Sequence, residues 1–187
     1  KACQEAEVSK FIFISTVSVY GAFSSKKPIS IHTQTSPVTP YSIAKLDAEK
    51  FLLGSNNSTA ISVIRLPLVY GDNAPGNYGA LERLAKSRLP LPFLNTRNKR
   101  SIVSVELVAK IIKNAAQSKE KYLGLHLLAE IRPYSTKEII ERIKTKNRFS
   151  PMLFPVPLFL MKIVLTVIGK GQMYEQLYED LEFVSTI

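Results

Sequence analysis

Residues 10–21 read Lys10-Phe11-Ile12-Phe13-Ile14-Ser15-Thr16-Val17-Ser18-Val19-Tyr20-Gly21. The run at 11–14 is short, wholly apolar and rich in aromatic and β-branched side chains, which is typical of a strand buried in a parallel sheet. We therefore predict a strand over 11–16 that ends in small hydroxyl residues. Open α/β sheets place their reactive side chains at the carboxyl ends of strands, so a candidate site lies just after this one.

A helix is predicted one loop later, where the sequence reads Pro40-Tyr41-Ser42-Ile43-Ala44-Lys45. Pro40 can start this helix, which we expect to run from about 41 to 54, and Gly54 is placed to cap its end. Tyr41 and Lys45 stand four positions apart. They therefore share a helix face, on which a phenol and an ammonium can point into one site.

The Tyr41/Lys45 pair has the chemistry for taking a proton from an alcohol while a cofactor takes the hydride. A phenol alone is a poor base at neutral pH, but a nearby cation stabilises its phenolate form. A hydroxyl from the preceding strand end can orient the alcohol beside that phenolate. An ordinary surface helix is the alternative, because a lone YxxxK spacing occurs by chance. The buried strand before the helix favours the catalytic interpretation.

The rest of the chain continues in β-α-β order, which predicts a parallel sheet with right-handed crossovers. Pro67 should lead the second strand into a loop, because proline cannot donate to a central ladder. Asn77 is placed to cap a helix, and Ser135-Thr136-Lys137-Glu138 forms a capping box for another. The predicted strands are 61–66, 101–105 and 124–128, the helices are 78–88, 106–117 and 135–146, and a turn is predicted at 56–58.

The composition indicates a globular protein of one domain or slightly more, with 187 residues, 45% hydrophobic and 21% charged. Cys3 is the one cysteine, which excludes an internal disulfide framework. His32 and His126 lie far apart without a carboxylate cluster, so we expect no metal site.

A net charge of +10 implies attraction to anions such as nucleic acid, an anionic membrane or a phosphorylated small molecule. The basic residues are scattered except for Arg97-Asn98-Lys99-Arg100, and no nucleic-acid motif accompanies them, so we expect no nucleic-acid partner. Residues 151–169 are strongly apolar. Prolines and Lys162 leave about a dozen of them for a helix, which is too short to span a bilayer, so a buried or interface helix is favoured over membrane insertion.

Four motifs stand in order along the chain: Ser15–Gly21, Tyr41-x3-Lys45, Arg65–Gly71 and Arg100-x4-Val105-Glu106. With them the sequence resembles the extended short-chain dehydrogenase/reductases of the NAD-dependent nucleotide-sugar epimerase/dehydratase family, over nearly its whole length. It is particularly similar to bacterial UDP-glucose and UDP-N-acetylglucosamine 4-epimerases of polysaccharide synthesis. The tracts that suggest this subgroup are 89–93, 98–103 and 168–171.

The resemblance implies an α/β fold with a partial Rossmann-like parallel sheet and flanking helices, plus a small, mostly α-helical C-terminal part that binds substrate. Residues 1–75, joined again by 101–130, would belong to the dinucleotide-binding domain. Residues 76–100 and 131–187 would form the substrate-binding part. The family resemblance also implies NAD as cofactor, a UDP-sugar as substrate and a cytoplasmic location.

The family's reacting groups fall on the first two motifs. By resemblance, Tyr41 would accept and donate the proton, Lys45 would bind the nicotinamide ribose and support the phenolate, and Thr16 would hydrogen-bond the reacting sugar hydroxyl. Tyr41, Lys45 and Ser15 would also contact the cofactor, with Pro67 beside the nicotinamide amide.

Four further positions would bind the sugar nucleotide. Asn77, at a helix N-terminus, and Arg100, with its planar fork, would meet the pyrophosphate. Phe93 would lie along the uracil, and Ser18 would join the substrate contacts. Core packing is the alternative for Phe93, and a solvated surface charge is the alternative for Arg100.

The chain departs from the family in its phosphate-binding loop, because no Gly-x-x-Gly-x-x-Gly occurs in it. Roughly a hundred residues of the nucleotide-binding half would then be missing, and we expect the C-terminal portion of a longer enzyme or a fragment of one. The shortened sheet would expose an edge through which a homodimer could form. Leu107 also stands where many relatives carry an acidic residue or Asn.

The residues after Thr16 discriminate among the family's reactions. Dehydratases typically place Asp-Glu there, and decarboxylating relatives usually keep a Glu. Val17 and Ser18 cannot protonate a leaving hydroxyl at neutral pH, which disfavours dehydration. The sequence therefore favours 4-epimerisation and leaves open the reduction of a keto sugar, another oxidoreductase of this family, or a non-catalytic module that binds sugar nucleotides or associates with proteins.

Overall fold

The computed structural model describes residues 2–55, 59–72, 74, 76–87, 89–118, 120, 122–147 and 152–187. The predicted turn at 56–58 and the predicted helix end at 88 lie outside these residues. In chain order the elements are α1 (Ala2–Glu5), β1 (Lys10–Thr16), a 3-10 turn (Val17–Tyr20), α2 (Pro40–Gly54), β2 (Ala60–Leu66), β3 (Leu68–Tyr70), α3 (Gly76–Lys86), β4 (Ile102–Ser104), α4 (Val105–Gln117), β5 (Gly124–Leu127), α5 (Thr136–Asn147), α6 (Leu158–Val167) and α7 (Gly171–Tyr178).

A parallel three-stranded sheet carries the predicted site. Its strand order is β1-β2-β5, with Ile14 opposite Ile64 and Ile64 opposite His126. The central strand β2 is the most buried of the three, because helices cover both faces of such a sheet. The predicted α/β class with a parallel sheet and flanking helices is confirmed.

Helix α2 begins where its local sequence specifies. The Ser42 N–H donates to Thr39 Oγ1 at 3.1 Å, the Thr39 N–H donates to Ser42 Oγ at 3.0 Å, and Pro40 occupies the first turn. The predicted cap at Gly54 is wrong, since Gly54 is the last helical residue and an extended Ser55 (φ −80°, ψ 131°) ends the helix. A glycine near the end of a predicted helix does not by itself show whether it is the last helical residue or the cap that follows.

The predicted loop after Pro67 is wrong for residues 68–70. They form β3, which pairs in parallel with β4 in a second, two-stranded sheet, with Leu68 opposite Ile102 and Tyr70 opposite Ser104. Proline ends the ladder of β2 because it lacks an N–H, and the chain then resumes as a strand with a new partner.

The predicted start is wrong for α3 and right for α5. Asn77 was expected to cap α3, but the helix already begins at Gly76, so Asn77 lies inside its first turn. The Ser135 capping box is confirmed, because the Glu138 N–H donates to Ser135 Oγ at 3.1 Å and the Ser135 N–H to Glu138 Oε2 at 2.8 Å. Helix α7 was not predicted.

The end of the chain joins the two sheets to the long loop before α2. Backbone N–H groups of Leu181, Val184 and Thr186 donate to the carbonyls of Lys99, Ile29 and Leu127, each at 2.8 Å. A hydrophobic cluster lies between α3, α5 and α7 and includes Tyr78, Leu81, Phe93, Ile140 and Tyr178. Of the described helices, none has the length and apolar character needed to cross a membrane.

Candidate active site

The carboxyl end of β1 presents two hydroxyl groups. Thr16 caps the 3-10 turn, and its Oγ1 accepts the Ser18 N–H at 3.1 Å and lies 3.1 Å from Ser18 Oγ. Gly21 ends the turn with φ +70°, and a Cβ there would come within 1.9 Å of the Ser36 carbonyl oxygen. Only glycine fits this position, so the turn that displays Thr16 and Ser18 is fixed at both ends.

Lys45 joins α2 to the end of β1. Its Nζ donates to the Ile14 carbonyl at 2.8 Å and lies 4.5 Å above the Phe13 ring. The same Nζ lies 5.9 Å from the centroid of the Tyr41 ring. Tyr41 is 59% exposed at the start of the helix. The structure therefore brings the phenol and the ammonium onto one face beside the strand that carries Thr16.

A buried polar network lies one turn further along the same face of α2. The Glu49 carboxylate accepts from Ser15 Oγ, from Arg65 Nε at 3.1 Å to each oxygen and from Arg65 Nη2 at 2.6 Å. Arg65 Nη1 donates to the Tyr20 hydroxyl at 2.8 Å. Sequence reasoning missed this network, although the spacing of Tyr41, Lys45 and Glu49 at i, i+4 and i+8 could have indicated it.

The charges of this network stabilise each other. Burial acts to lower the pKa of Arg65, but the hydrogen bonds and the charge of Glu49 outweigh it, so that pKa is raised. Burial raises the pKa of the Tyr20 phenol, and the hydrogen bond from Arg65 opposes it in part. Glu49 and Arg65 therefore form an ion pair that persists in the core, with Tyr20 as a neutral acceptor.

The two other predicted cofactor contacts, Ser15 and Pro67, are buried. The Ser15 hydroxyl donates to Glu49, so it already has a partner inside the protein. Pro67 stands between the end of β2 and the start of β3, where the chain leaves the main sheet. Their contacts with a cofactor stay predictions.

Arg100 is held by backbone carbonyls, and the alternative of a solvated surface charge is wrong. Its Nη1 donates to the carbonyls of Phe23, Glu175 and Glu179 at 3.4, 3.2 and 3.0 Å. Burial lowers the pKa of Arg100 to about 10, and the charge of Asp180 opposes this. Arg100 thus joins the end of α7 to the loop after the 3-10 turn, and a phosphate contact would fall to its other N–H groups.

Besides Arg100 and Ser18, the two remaining predicted substrate residues lie in contrasting places. Phe93 is 2% exposed, and its ring lies 5.3 Å from that of Tyr178 in the core, which matches the core-packing alternative. Asn77 is exposed in the first turn of α3. Both substrate contacts stay predictions.

A cavity of about 610 Å³ lies at the end of β3, beside α3 and α5. The Tyr70 hydroxyl donates to Glu130 at 2.6 Å and accepts from Arg142 Nη1 at 3.1 Å, while Arg142 Nη2 donates to the Tyr134 hydroxyl at 2.8 Å. Burial, followed by the hydrogen bond to Glu130, raises the pKa of Tyr70. Sequence reasoning did not single out this cluster, because its members come from three separate segments: β3, the loop before α5 and α5 itself. Among the described residues, no group of His, Cys, Asp and Glu is placed to hold a metal ion.

The sequence is similar to that of known proteins. The profile of the NAD dependent epimerase/dehydratase family matches residues 1–124. A UDP-glucose 4-epimerase of Vibrio cholerae is 28% identical over 186 residues, which are 97% of this chain and 57% of that protein. An uncharacterized UDP-glucose epimerase of Bacillus subtilis is 36% identical over 91 residues, or 48% of this chain and 28% of that protein.

Solved structures share the fold. A UDP-glucuronic acid 4-epimerase from Bacillus cereus in complex with NAD has a TM-score of 0.69 at 18% identity, and the match covers 99% of this chain and 55% of that protein. A dTDP-4-dehydrorhamnose reductase from Bacillus anthracis in complex with NADP has a TM-score of 0.67 at 16% identity, and the match covers 95% of this chain and 66% of that protein. The chain thus spans little more than half the length of the Vibrio and B. cereus proteins.

Proposed function

The chain belongs to the NAD dependent epimerase/dehydratase family, and we propose that it supplies the proton-transfer groups of a nucleotide-sugar 4-epimerase. The observation that carries the proposal is the shared face of Tyr41 and Lys45, tied by the Lys45–Ile14 hydrogen bond to the strand that ends at Thr16. A phenol and a hydroxyl beside one cation form a site for an alcohol that loses and regains its proton.

The residues present fit NAD, the cofactor of the family. An ammonium has three N–H donors, and one of the Lys45 donors is bound to Ile14, which leaves donors for the hydroxyls of a ribose. When bound, NAD would supply the hydride chemistry at the sugar carbon. The part of the cofactor site that a glycine-rich loop forms in relatives has no counterpart among these 187 residues.

Each proton-transfer group has a distinct task in this proposal. Tyr41 takes the proton from the C4 hydroxyl and returns it after the keto sugar has rotated to present its other face. Lys45 stabilises the phenolate and holds the ribose side of the site. Thr16, whose hydroxyl lies beside that of Ser18, would accept a hydrogen bond from the C4 hydroxyl or donate one to the C4 keto oxygen, and so fix the orientation of that oxygen.

Epimerisation is favoured over dehydration by the residues beside Thr16. Val17 has no proton to give, and the Ser18 hydroxyl is paired with Thr16. Neither can act as the acid that removing a hydroxyl as water would need. The V. cholerae relative, named as a UDP-glucose 4-epimerase, supports a UDP-sugar as substrate. We propose a role in surface polysaccharide synthesis in the cytoplasm.

Reduction of a keto sugar is the second candidate. It needs the same tyrosine, lysine and hydroxyl, and a dTDP-4-dehydrorhamnose reductase is among the structures that share this fold. The two candidates differ in stoichiometry, because a reductase consumes one reduced cofactor per product, while an epimerase consumes none. A chain that binds a sugar nucleotide without turnover is a third outcome.

The two-part division of the chain belongs to the same proposal. Residues 1–75 and 101–130 would support the cofactor, and 76–100 and 131–187 would bind the nucleotide. The pairing of β5 with β2 supports the return of the chain to the first part. A homodimer through the open edge of β1 stays a prediction.

The test is an assay of the complete gene product with UDP-glucose and UDP-N-acetylglucosamine, with and without NAD. Nuclear magnetic resonance distinguishes the C4 epimers directly. The proposal expects the C4 epimer to form without net reduction of NAD. A second reaction supplies NADH and a UDP-4-keto sugar. Formation of neither C4 epimer in the first reaction would contradict the proposal, and net consumption of NADH in the second reaction would then select the reductase.

A further inference from the structure

The face of α2 that carries Tyr41 and Lys45 continues into the core at Glu49. Residues four apart on a helix are about 6 Å apart along its axis, so the three side chains form a row one turn apart. Burial increases along this row, from Tyr41 at 59% exposed through a half-buried Lys45 to Glu49 at 1%. The exposed end of the row is the predicted reacting end, and Glu49 is its fixed end.

Arg65 holds Glu49 in one orientation. Its Nε and Nη2 both donate to the carboxylate, in the fork geometry that a guanidinium offers and an ammonium does not. Arg65 lies on β2, the central strand of the sheet, and is 3% exposed. Ser15, on the neighbouring strand, donates to the same carboxylate. The fixed end of the row is therefore bound to both strands beside α2.

The network also reaches the turn that Thr16 caps. Arg65 Nη1 donates to the hydroxyl of Tyr20, the last residue of that turn, and the guanidinium carbon lies 4.9 Å from the Tyr20 ring centroid. The elements that carry Thr16, Tyr41 and Lys45 are thus all joined through one carboxylate and one guanidinium.

Stability alone does not account for such a pair. Removing two charges from water costs about as much as their attraction returns, and apolar residues of similar size often stabilise a protein as well or better. What a forked, fully hydrogen-bonded pair adds is a single geometry. Resting on the proposed function, we propose that Glu49 and Arg65 are positioning residues, which fix α2 so that Tyr41 and Lys45 meet the substrate and cofactor at the end of β1.

The test replaces both charges together in the complete gene product, as Glu49→Gln with Arg65→Gln. This leaves no unpaired buried charge, and the amides can still bond Ser15 and Tyr20. We expect a thermal unfolding midpoint near that of the wild type and a KM for the sugar nucleotide within about twofold. We expect kcat to fall roughly 10- to 100-fold, because a displacement of about 1 Å has that effect.

Two further variants separate positioning from charge balance and from fold. Arg65→Lys keeps the charge but loses the fork, so we expect its kcat to be at least about fivefold below that of the wild type. If the pair served only to balance charge, Arg65→Lys would have the kcat of the wild type. Glu82→Gln with Lys86→Gln removes a partly exposed ion pair of α3 (2.8 Å) and should leave kcat unchanged. Wild-type kcat in the double-amide variant or in Arg65→Lys would overturn the proposal. Unfolding of every Glu49 and Arg65 variant would overturn it too, because the pair would then be a folding requirement.

Binding of NADH separates this proposal from the proposed function. If the wild type epimerises neither UDP-sugar, the proposed function fails, and NADH affinity measured by fluorescence still reports on the position of Lys45. We expect the double-amide variant to bind NADH at least about fivefold more weakly than the wild type. Equal affinity would overturn the positioning role whichever reaction the protein catalyses.

Discussion

The Lys45 ammonium donates a 2.8 Å hydrogen bond to the carbonyl of Ile14, two residues before Thr16 on β1. This bond fixes the position of the helix relative to the strand at the point where each presents a proposed reacting group. The YxxxK spacing explains why Tyr41 and Lys45 share a face, but the bond to β1 is what directs that face to the end of the sheet.

Removal of the Tyr41 hydroxyl should abolish turnover and spare binding. Tyr41→Phe keeps the ring and deletes only the atom that carries the proton. We expect kcat to fall by about 10²- to 10⁴-fold, the usual share of a positioned acid–base group. Calorimetry should give a sugar-nucleotide Kd close to that of the wild type. Retention of substantial activity would assign the proton transfer to another residue.

Replacement of Lys45 should weaken cofactor binding. Lys45→Ala removes the proposed donor to the nicotinamide ribose, so we expect the variant to bind NADH more weakly than the wild type. NADH fluorescence measures this affinity. An unchanged affinity would argue against the role given to Lys45.

Loss of Glu49 alone should destabilise the fold much more than loss of both charges. Glu49→Ala leaves the Arg65 guanidinium buried without its carboxylate, which costs about 3–5 kcal/mol. The double change Glu49→Gln with Arg65→Gln should cost clearly less. Urea unfolding of Glu49→Gln, of Arg65→Gln and of the double variant completes a double-mutant cycle. Equal destabilisation by all of them would contradict the ion pair.

The Glu138 carboxylate at the start of α5 should give a pH-dependent contribution to stability. Hydrogen bonds from Ser135, opposed by burial and aided by Arg132, lower the pKa of Glu138 below its usual 4.5. A lowered pKa means that the contribution is present above pH 4.5 and is lost as the pH falls through the folded-state value.

Glu138→Gln is the matched variant for this prediction, because it keeps the shape and removes the charge. We expect it to lower the free energy of unfolding by about 0.5–1 kcal/mol at pH 7, a typical effect at a helix cap. The difference from the wild type should shrink towards zero as the pH falls below 4.5 and through the lowered folded-state pKa of Glu138. A difference that stays constant across this range would contradict the capping role of the charged form.

Local patterns in the sequence predicted much of the fold. The apolar run before Ser15 gave β1, and the Ser135–Glu138 box gave the start of α5, because both depend on neighbours within four residues. Strand β3 was missed because its partner, β4, lies more than thirty positions away, and no local signal identifies such a partner.

The candidate site shows the same division. The spacing of Tyr41 and Lys45 fixed their shared face, but the bond from Lys45 to Ile14 depends on the packing of α2 against β1. A solvated Arg100 was one expectation, whereas its Nη1 donates to the carbonyls of Glu175 on α7 and Glu179 just after it, 75 and 79 positions further on. The phosphate contact of Arg100 stays a prediction. The sequence predicted which groups would react, and only the fold identified the contacts that hold them.

The most direct test of the account is the fate of the hydrogen at C4 of the sugar. The complete gene product is incubated with NAD and UDP-glucose deuterated at C4, and the products are followed by nuclear magnetic resonance. An epimerase that oxidises C4 and returns the same hydride gives UDP-galactose with the deuterium retained at C4. We predict this result for the wild type, and no formation of UDP-galactose by Tyr41→Phe. Transfer of the deuterium to free reduced cofactor, or formation of no C4 epimer, would contradict it.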